Sequence, residues 1–240
     1  MILAMKKIPL IFVAISVLSL SFISLAVLWP HASNIHAIQS ISSNNRLNYY
    51  VQEAKAKGQN RIVVPSPIIE YVTNVQNLHS ALKQYTLVVV TPINKVTVTT
   101  DWGEIRTWYK FKISESVSPK KYNPCTNCTP PAFLPNELLP VNPDEILVSV
   151  TGGIVVVDGI RLMMRPEFIF NSSESYLLFL QEDKSGLFGR IMVGPDTIFK
   201  VAADGSLIDG TNNPHDLKKI IKEQYKGNLK ELRTAAKQQE

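Results

Sequence analysis

Histidine and cysteine are scarce in this chain: four histidines and two cysteines in 240 residues. That scarcity removes much metal and nucleophile chemistry at once. His31 and His36 flank an N-terminal apolar run, which leaves His79 inside one predicted helix and His215 at the start of another. Two isolated histidines read as surface or capping residues rather than as a base and a ligand. No His-Glu-x-x-His is present, so the helix that presents two zinc ligands one turn apart is missing. No Gly-x-Ser-x-Gly is present either, which excludes the nucleophile elbow of α/β-hydrolases. Gly152-Gly153 lacks the phosphate-loop pattern and opens no helix, so a bulge or sharp strand bend accounts for it. The nearest acidic pairs, Asp101 with Glu104 and Glu182 with Asp183, fall in apparent turns where carboxylates are solvated. Paired-carboxylate catalysis needs two groups facing across a cleft, which sequence does not display. No catalytic residue, cofactor or metal site is assigned.

The cysteines lie together, as Cys125-Thr-Asn-Cys128. In an oxidising compartment two thiols this close most simply form a local disulfide that pins a loop. A redox pair is the functional alternative, since a C-x-x-C at a helix N-terminus has a lowered thiol pKa. Pro124 before the motif and Pro130-Pro131 after it oppose the continuing helix that such a site uses. Haem attachment wants His where Thr129 stands, and a structural zinc site wants a second ligand pair.

What the chain does have is an address. Lys6 and Lys7 precede an uncharged apolar run from Ile8 to Trp29, the pattern of a secretory signal. As a helix that run rises roughly 33 Å, enough to cross a bilayer core. Residues 1–37 therefore read as a signal peptide cleaved after Ala37 or as a retained signal anchor. Either way the two lysines stay inside and the rest goes out, to the periplasm, the exterior or the outer face of the cytoplasmic membrane. The net charge of +5 falls to about +3 without Lys6 and Lys7, and much of the rest is concentrated near the C-terminus, in Lys218, Lys219, Lys222, Lys226, Lys230, Arg233 and Lys237. These residues are not interleaved with the aromatics that single-strand binders stack on bases. A solvated helix face suits them better, and nucleic acid is not expected as a partner. An unidentified protein or small ligand of the envelope is, together with the membrane itself if the leader is kept.

About 200 residues follow the leader, which suits one domain with a sizeable core. Residues 38–60 read as a polar tether carrying a short helix that Gly58 ends, and 61–240 as a single domain. Helical spacing of Ile69, Val72, Leu78, Leu82 and Tyr85 predicts a helix over much of 68–84. Thr86–Thr91 and Val96–Thr100 read as two separate strands, and Ile105–Ile113 as a third. Periodicity then stops: seven of fifteen prolines fall in 115–144, which predicts a long surface loop. Strands resume at Ile146–Val150, Ile154–Val157, Tyr176–Leu180, Ile191–Val193, Ile198–Val201 and Leu207–Ile208, with turn residues between them. A charged helix from about His215 closes the chain, its stripe Leu217, Ile220, Ile221 and Tyr225 interrupted at Gly227. Trp102 and Trp108 straddle a predicted hairpin; one of them is a candidate to line a ligand surface, the other to pack in the core.

Several of these elements resemble a widespread type of bacterial exported protein without an assigned activity. They are the strand Tyr85–Thr91, the Ile105/Thr107/Tyr109/Phe111 strand, Gly152-Gly153, the Tyr176–Leu180 strand, and Ile198-Phe199-x-Val201 with its Asp204-Gly205 turn. The arrangement is also similar to netrin-like modules and metalloproteinase-inhibitor domains, over about residues 80–210. That resemblance implies a mainly β fold, a single small antiparallel barrel or sandwich of OB type with flanking helices. It does not carry inhibition over, because no cysteine lies near any N-terminus that could chelate a protease zinc. The function expected is a non-enzymatic binding or scaffolding module of the bacterial envelope. The alternatives are a thiol–disulfide protein using Cys125 and Cys128, and an assembly subunit that contacts a partner or lipid through its basic terminal helix.

Overall fold

A computed structural model describes residues 44–67, 77–100, 103–118, 122, 133–182, 187–191, 197–211 and 216–238. The fold is mainly β: two sheets with helices against them. The larger sheet is built on two long strands, β2 (Thr86–Thr99) and β3 (Ile105–Ser116). Leu87, Val88, Val89 and Val90 are all buried because β2 is covered on both faces. Leu87 and Val89 point toward the helices, while Val88 and Val90 point to a second core with Tyr109, Phe111, Ile146 and Val148. That double burial is why the run is continuously apolar instead of alternating.

Two expected strands are one here. β2 passes through Pro92 by shifting register between Val89 and Val90 and again between Pro92 and Asn94. A bulge is where a strand tolerates a residue without an amide donor. The shifts also re-aim the side chains, so Val96 and Val98 face Trp108 rather than the Val88 side.

β4 (Glu145–Thr151) completes a meander with β2 and β3. At Gly152-Gly153, both at positive φ, the chain bends out of this sheet into β5 (Gly153–Val157). β5 turns tightly at Asp158-Gly159 into β6 (Ile160–Met164), a strand the sequence reading left out. β1 (Arg61–Val63) pairs parallel with β6, giving a three-stranded sheet ordered β1-β6-β5. β7 (Ser175–Glu182) then returns to pair with β2. β8 (Phe188–Ile191) begins three residues earlier than expected and pairs parallel with β4 and antiparallel with β7. β9 (Phe199–Val201) and β10 (Leu207–Asp209) extend the sheet beyond β7, giving the order β10-β9-β7-β2-β3-β4-β8.

The helices each cover an apolar face. α1 (Asn44–Ala56) ends at Gly58, φ +62, as its sequence predicts. It is not a free tether, however: Leu47, Val51 and Ala54 are buried with Leu162, Met164 and Ile105. Each large side chain buried this way contributes about 1.5–3 kcal/mol, which is reason enough for the segment to dock. α2 (Leu78–Gln84) starts at Asn77, whose side chain accepts a bond from the Ser80 amide. The remainder of the helix expected over 68–84 lies outside the described residues. The terminal helix is two helices, α3 (Asp216–Gln224) and α4 (Leu229–Lys237), broken at Lys226-Gly227, both left-handed. Leu217, Ile221, Leu229, Leu232 and Ala236 close over Leu87, Val89 and Phe179.

Candidate functional surface

Of the residues singled out from sequence, Cys125, Cys128, Trp102, Asp101, Asp183 and His215 lie outside the described residues. His79 sits exposed on α2. Glu104 pairs with Arg106 at 3.2 Å. Trp108 is only 5% exposed. Its indole stacks on Phe133 (centroids 6.1 Å apart), meets Phe188 edge-on at 5.9 Å, and packs with Leu134 and Leu138. The ligand surface expected there is covered by the chain itself, and Trp108 takes the core role open to one of the two tryptophans.

The covering segment is part of the proline-rich stretch expected as a surface loop. A 3-10 turn at Asn136–Leu138 buries Leu138, and a polar clamp holds the segment's end. Lys110 Nζ lies 2.9 Å from Glu145 Oε2 and donates to the Pro140 carbonyl. The Asn142 amide and side chain donate to the two Glu145 oxygens. Burial pushes the Glu145 carboxyl up, yet these donors together hold it below the usual carboxylate range.

A titratable cluster sits at the start of β7. Glu174 accepts from Lys200, from the Tyr176 hydroxyl at 2.7 Å and from Asn171 at 3.2 Å. Those donors, Lys200 first, hold the Glu174 carboxyl at about 2. Burial among Phe168, Phe170 and neighbouring rings, reinforced by Glu174, pushes the Tyr176 phenol up to about 12. Every member bonds another member, so the cluster locks the 171–176 turn onto β9. Among the described residues no three His, Cys, Asp or Glu side chains converge as a metal site. Among them, too, no helix is long and apolar enough to cross a membrane; the leader falls outside that set.

The surface left open is the outer face of the three-stranded sheet. Ile62, Leu162, Val155 and Val157 turn inward toward α1. Alternation puts Arg61, Val63, Arg161, Met163, Ile154 and Val156 on the other side. Register arranges these six in two rows across the strands: Val63–Met163–Ile154 and Arg61–Arg161–Val156. Val156 is 69% exposed and Val63 66%, the two largest exposures among the large apolar side chains of the described residues, and Ile154 beside them is 47% exposed. Neither arginine has an ion-pair partner among the described residues. The nearest acid of the hairpin tip, Asp158, is held by Lys55 at 3.3 Å.

Sequence reasoning missed this face. Ile154–Val157 reads as a continuous apolar run, so its two sides look alike until the partner strands are known. The outward Arg161 and Met163 of β6 were the usable signal. Neither a protein-family model nor a curated protein matches the chain.

Proposed function

We propose that the chain is an exported, non-enzymatic binding or scaffolding module of the bacterial envelope, held at or released from the cytoplasmic membrane by residues 1–37. The observation that carries the reading is the outer face of the β1-β6-β5 sheet, where Val63, Ile154 and Val156 stand exposed beside two arginines. Isolated exposed apolar residues are ordinary; here three stand in register on one face beside two arginines, which supports a contact there smaller than a stable protein–protein interface.

We also propose that the larger sheet is an OB-type barrel. What supports it is the pairing: β2, β3, β4, β8 and β7 each pair with the next, and β7 pairs back to β2, with β4–β8 the one parallel contact. Barrels of this type bind ligands on the face of their second and third strands. In this chain that face is β3–β4, which residues 133–141 cover, so binding is assigned elsewhere. Fold alone names no ligand.

The basic-helix alternative is less well supported. Lys218 is buried on the Thr211 carbonyl and hydroxyl, and the exposed lysines of α3 and α4 are mixed with Glu223 and Glu231. The thiol–disulfide alternative rests on Cys125 and Cys128 alone. The test is a photo-crosslinking residue at Val156 in growing cells, with Ile208 as control. Adducts at Val156 and none at Ile208 are expected; equal yields at both positions contradict the reading.

A further inference from the structure

We infer that the outer face of the β1-β6-β5 sheet rests on the anionic lipid surface of the membrane from which the domain projects, an inference that builds on the proposed envelope location with the leader retained. Four observations carry it. First, charge: the face presents Arg61 and Arg161 and no acid among its six outward residues. Each arginine near an anionic surface is attracted to it, and apolar neighbours reach the headgroup boundary.

Second, connection. α1 packs on the inner side of this same sheet and is the first described element after the leader. Residues 30–43 separate Trp29 from Asn44, and at 3.3–3.6 Å each they span at most about 50 Å. The tether thus joins the domain at the same unit, α1 on the three-stranded sheet, that carries this face.

Third, size. Strands about 4.8 Å apart and three to five residues long give a patch on the order of 200 Å². A stable protein–protein interface needs roughly 800 Å² per partner, so this face alone does not hold a second copy or a soluble partner. A tether removes that requirement, because it raises the effective concentration of the surface it is anchored in.

Fourth, contrast within the fold. The other basic region, on α3 and α4, mixes lysines with exposed acids and directs its apolar residues into the core.

The test uses the full chain in vesicles of phosphatidylcholine, with or without phosphatidylglycerol. Flotation with both vesicle types reports the retained leader by itself. Val156→Trp is then quenched by brominated lipid and compared with Ile208→Trp; Trp29, Trp102 and Trp108 contribute the same background to each. The expected result is extra quenching at Val156→Trp, present only with phosphatidylglycerol and lost when Arg61→Glu and Arg161→Glu are added. Circular dichroism confirms that each variant is folded, and Arg61→Gln with Arg161→Gln replaces the reversal if it is not. A chain that fails to float overturns the anchored reading. A chain that floats with no extra quenching at Val156→Trp overturns only the surface assignment. Quenching abolished by Lys219→Gln and Lys222→Gln but kept after the arginine changes assigns the contact to the helices instead. Shielding of Val156→Trp that depends on protein concentration and not on lipid assigns it to a second copy.

Discussion

The Cβ that Gly153 lacks would lie 2.5 Å from Thr107 Oγ1. That hydroxyl is already bonded to Thr97 Oγ1 at 2.9 Å and to the Gly152 carbonyl at 2.7 Å. The junction between the two sheets is thus packed to backbone contact. At Gly152 an added Cβ would meet Pro166 Cα at 2.4 Å, a backbone atom that cannot swing away. Both glycines also have positive φ. Gly152→Ala is expected to destabilise the domain by about 3 kcal/mol or more, and Gly153→Ala by about 2 kcal/mol, since Thr97 and Thr107 can rotate. Urea unfolding of the two variants checks the ranking.

Lys110→Met leaves Glu145 without its cation in a nearly buried position. The expected loss is about 2–3 kcal/mol, moderated by the two Asn142 donors that remain. Because the pair holds the end of the segment over Trp108, the variant is also expected to increase acrylamide quenching of tryptophan emission. Unchanged quenching would mean that Leu134, Leu138 and Phe133 hold the segment without the clamp.

Glu174 gives the fold an acid-sensitive joint. Its carboxyl titrates at about 2 when folded and ordinarily at 4.5. A depressed carboxylate contributes stability that is complete above the unfolded value and is lost as pH falls through the folded one. Stability from this group therefore declines between about pH 4.5 and 2. Tyr176 acts at the other end: raised to about 12, it contributes below pH 10 and loses that contribution as pH climbs toward 12. Thermal melts across pH should show Glu174→Gln with a flatter acid limb and Tyr176→Phe with a flatter alkaline limb.

Val51→Asp on α1 is expected to undock the helix from the small sheet, because Val51 is fully buried among apolar side chains and a carboxylate there loses its hydration. Hydrogen exchange would then rise in α1, β1 and β6 together, while β2, β3 and β7 keep their protection. Equal loss everywhere would mean that the two sheets unfold as one unit.

The strand content was legible wherever side chains state their own burial. The β-branched run at 87–90, the Tyr176–Leu180 strand, the Gly152-Gly153 bend and the break at Gly227 all follow from local chemistry. Features that depend on a distant partner were not legible. Pro92 suggests a strand end unless a bulge absorbs it, which only pairing with β3 reveals. The 133–141 segment reads as loop because its prolines forbid regular pairing, yet its Leu134 and Leu138 serve a core supplied by Trp108. The docking of α1 was hidden for the same reason: Leu47, Val51 and Ala54 are too few to declare a buried face without β6 beneath them. The candidate surface was hidden most completely, since outward and inward residues of β5 are the same amino-acid types.

The most direct test is oxidation of Met163, which lies in the centre of the proposed contact face beside the fully buried Met164. Native membranes are exposed to a brief hydroxyl-radical pulse, and the two methionine sulfoxides are quantified by mass spectrometry with and without prior detergent extraction. The account predicts that Met163 is protected in the membrane and becomes reactive on extraction, with Met164 unreactive in both. Equal reactivity of Met163 in the two preparations would show that the face is open to solvent in place, and would contradict its role as a contact surface.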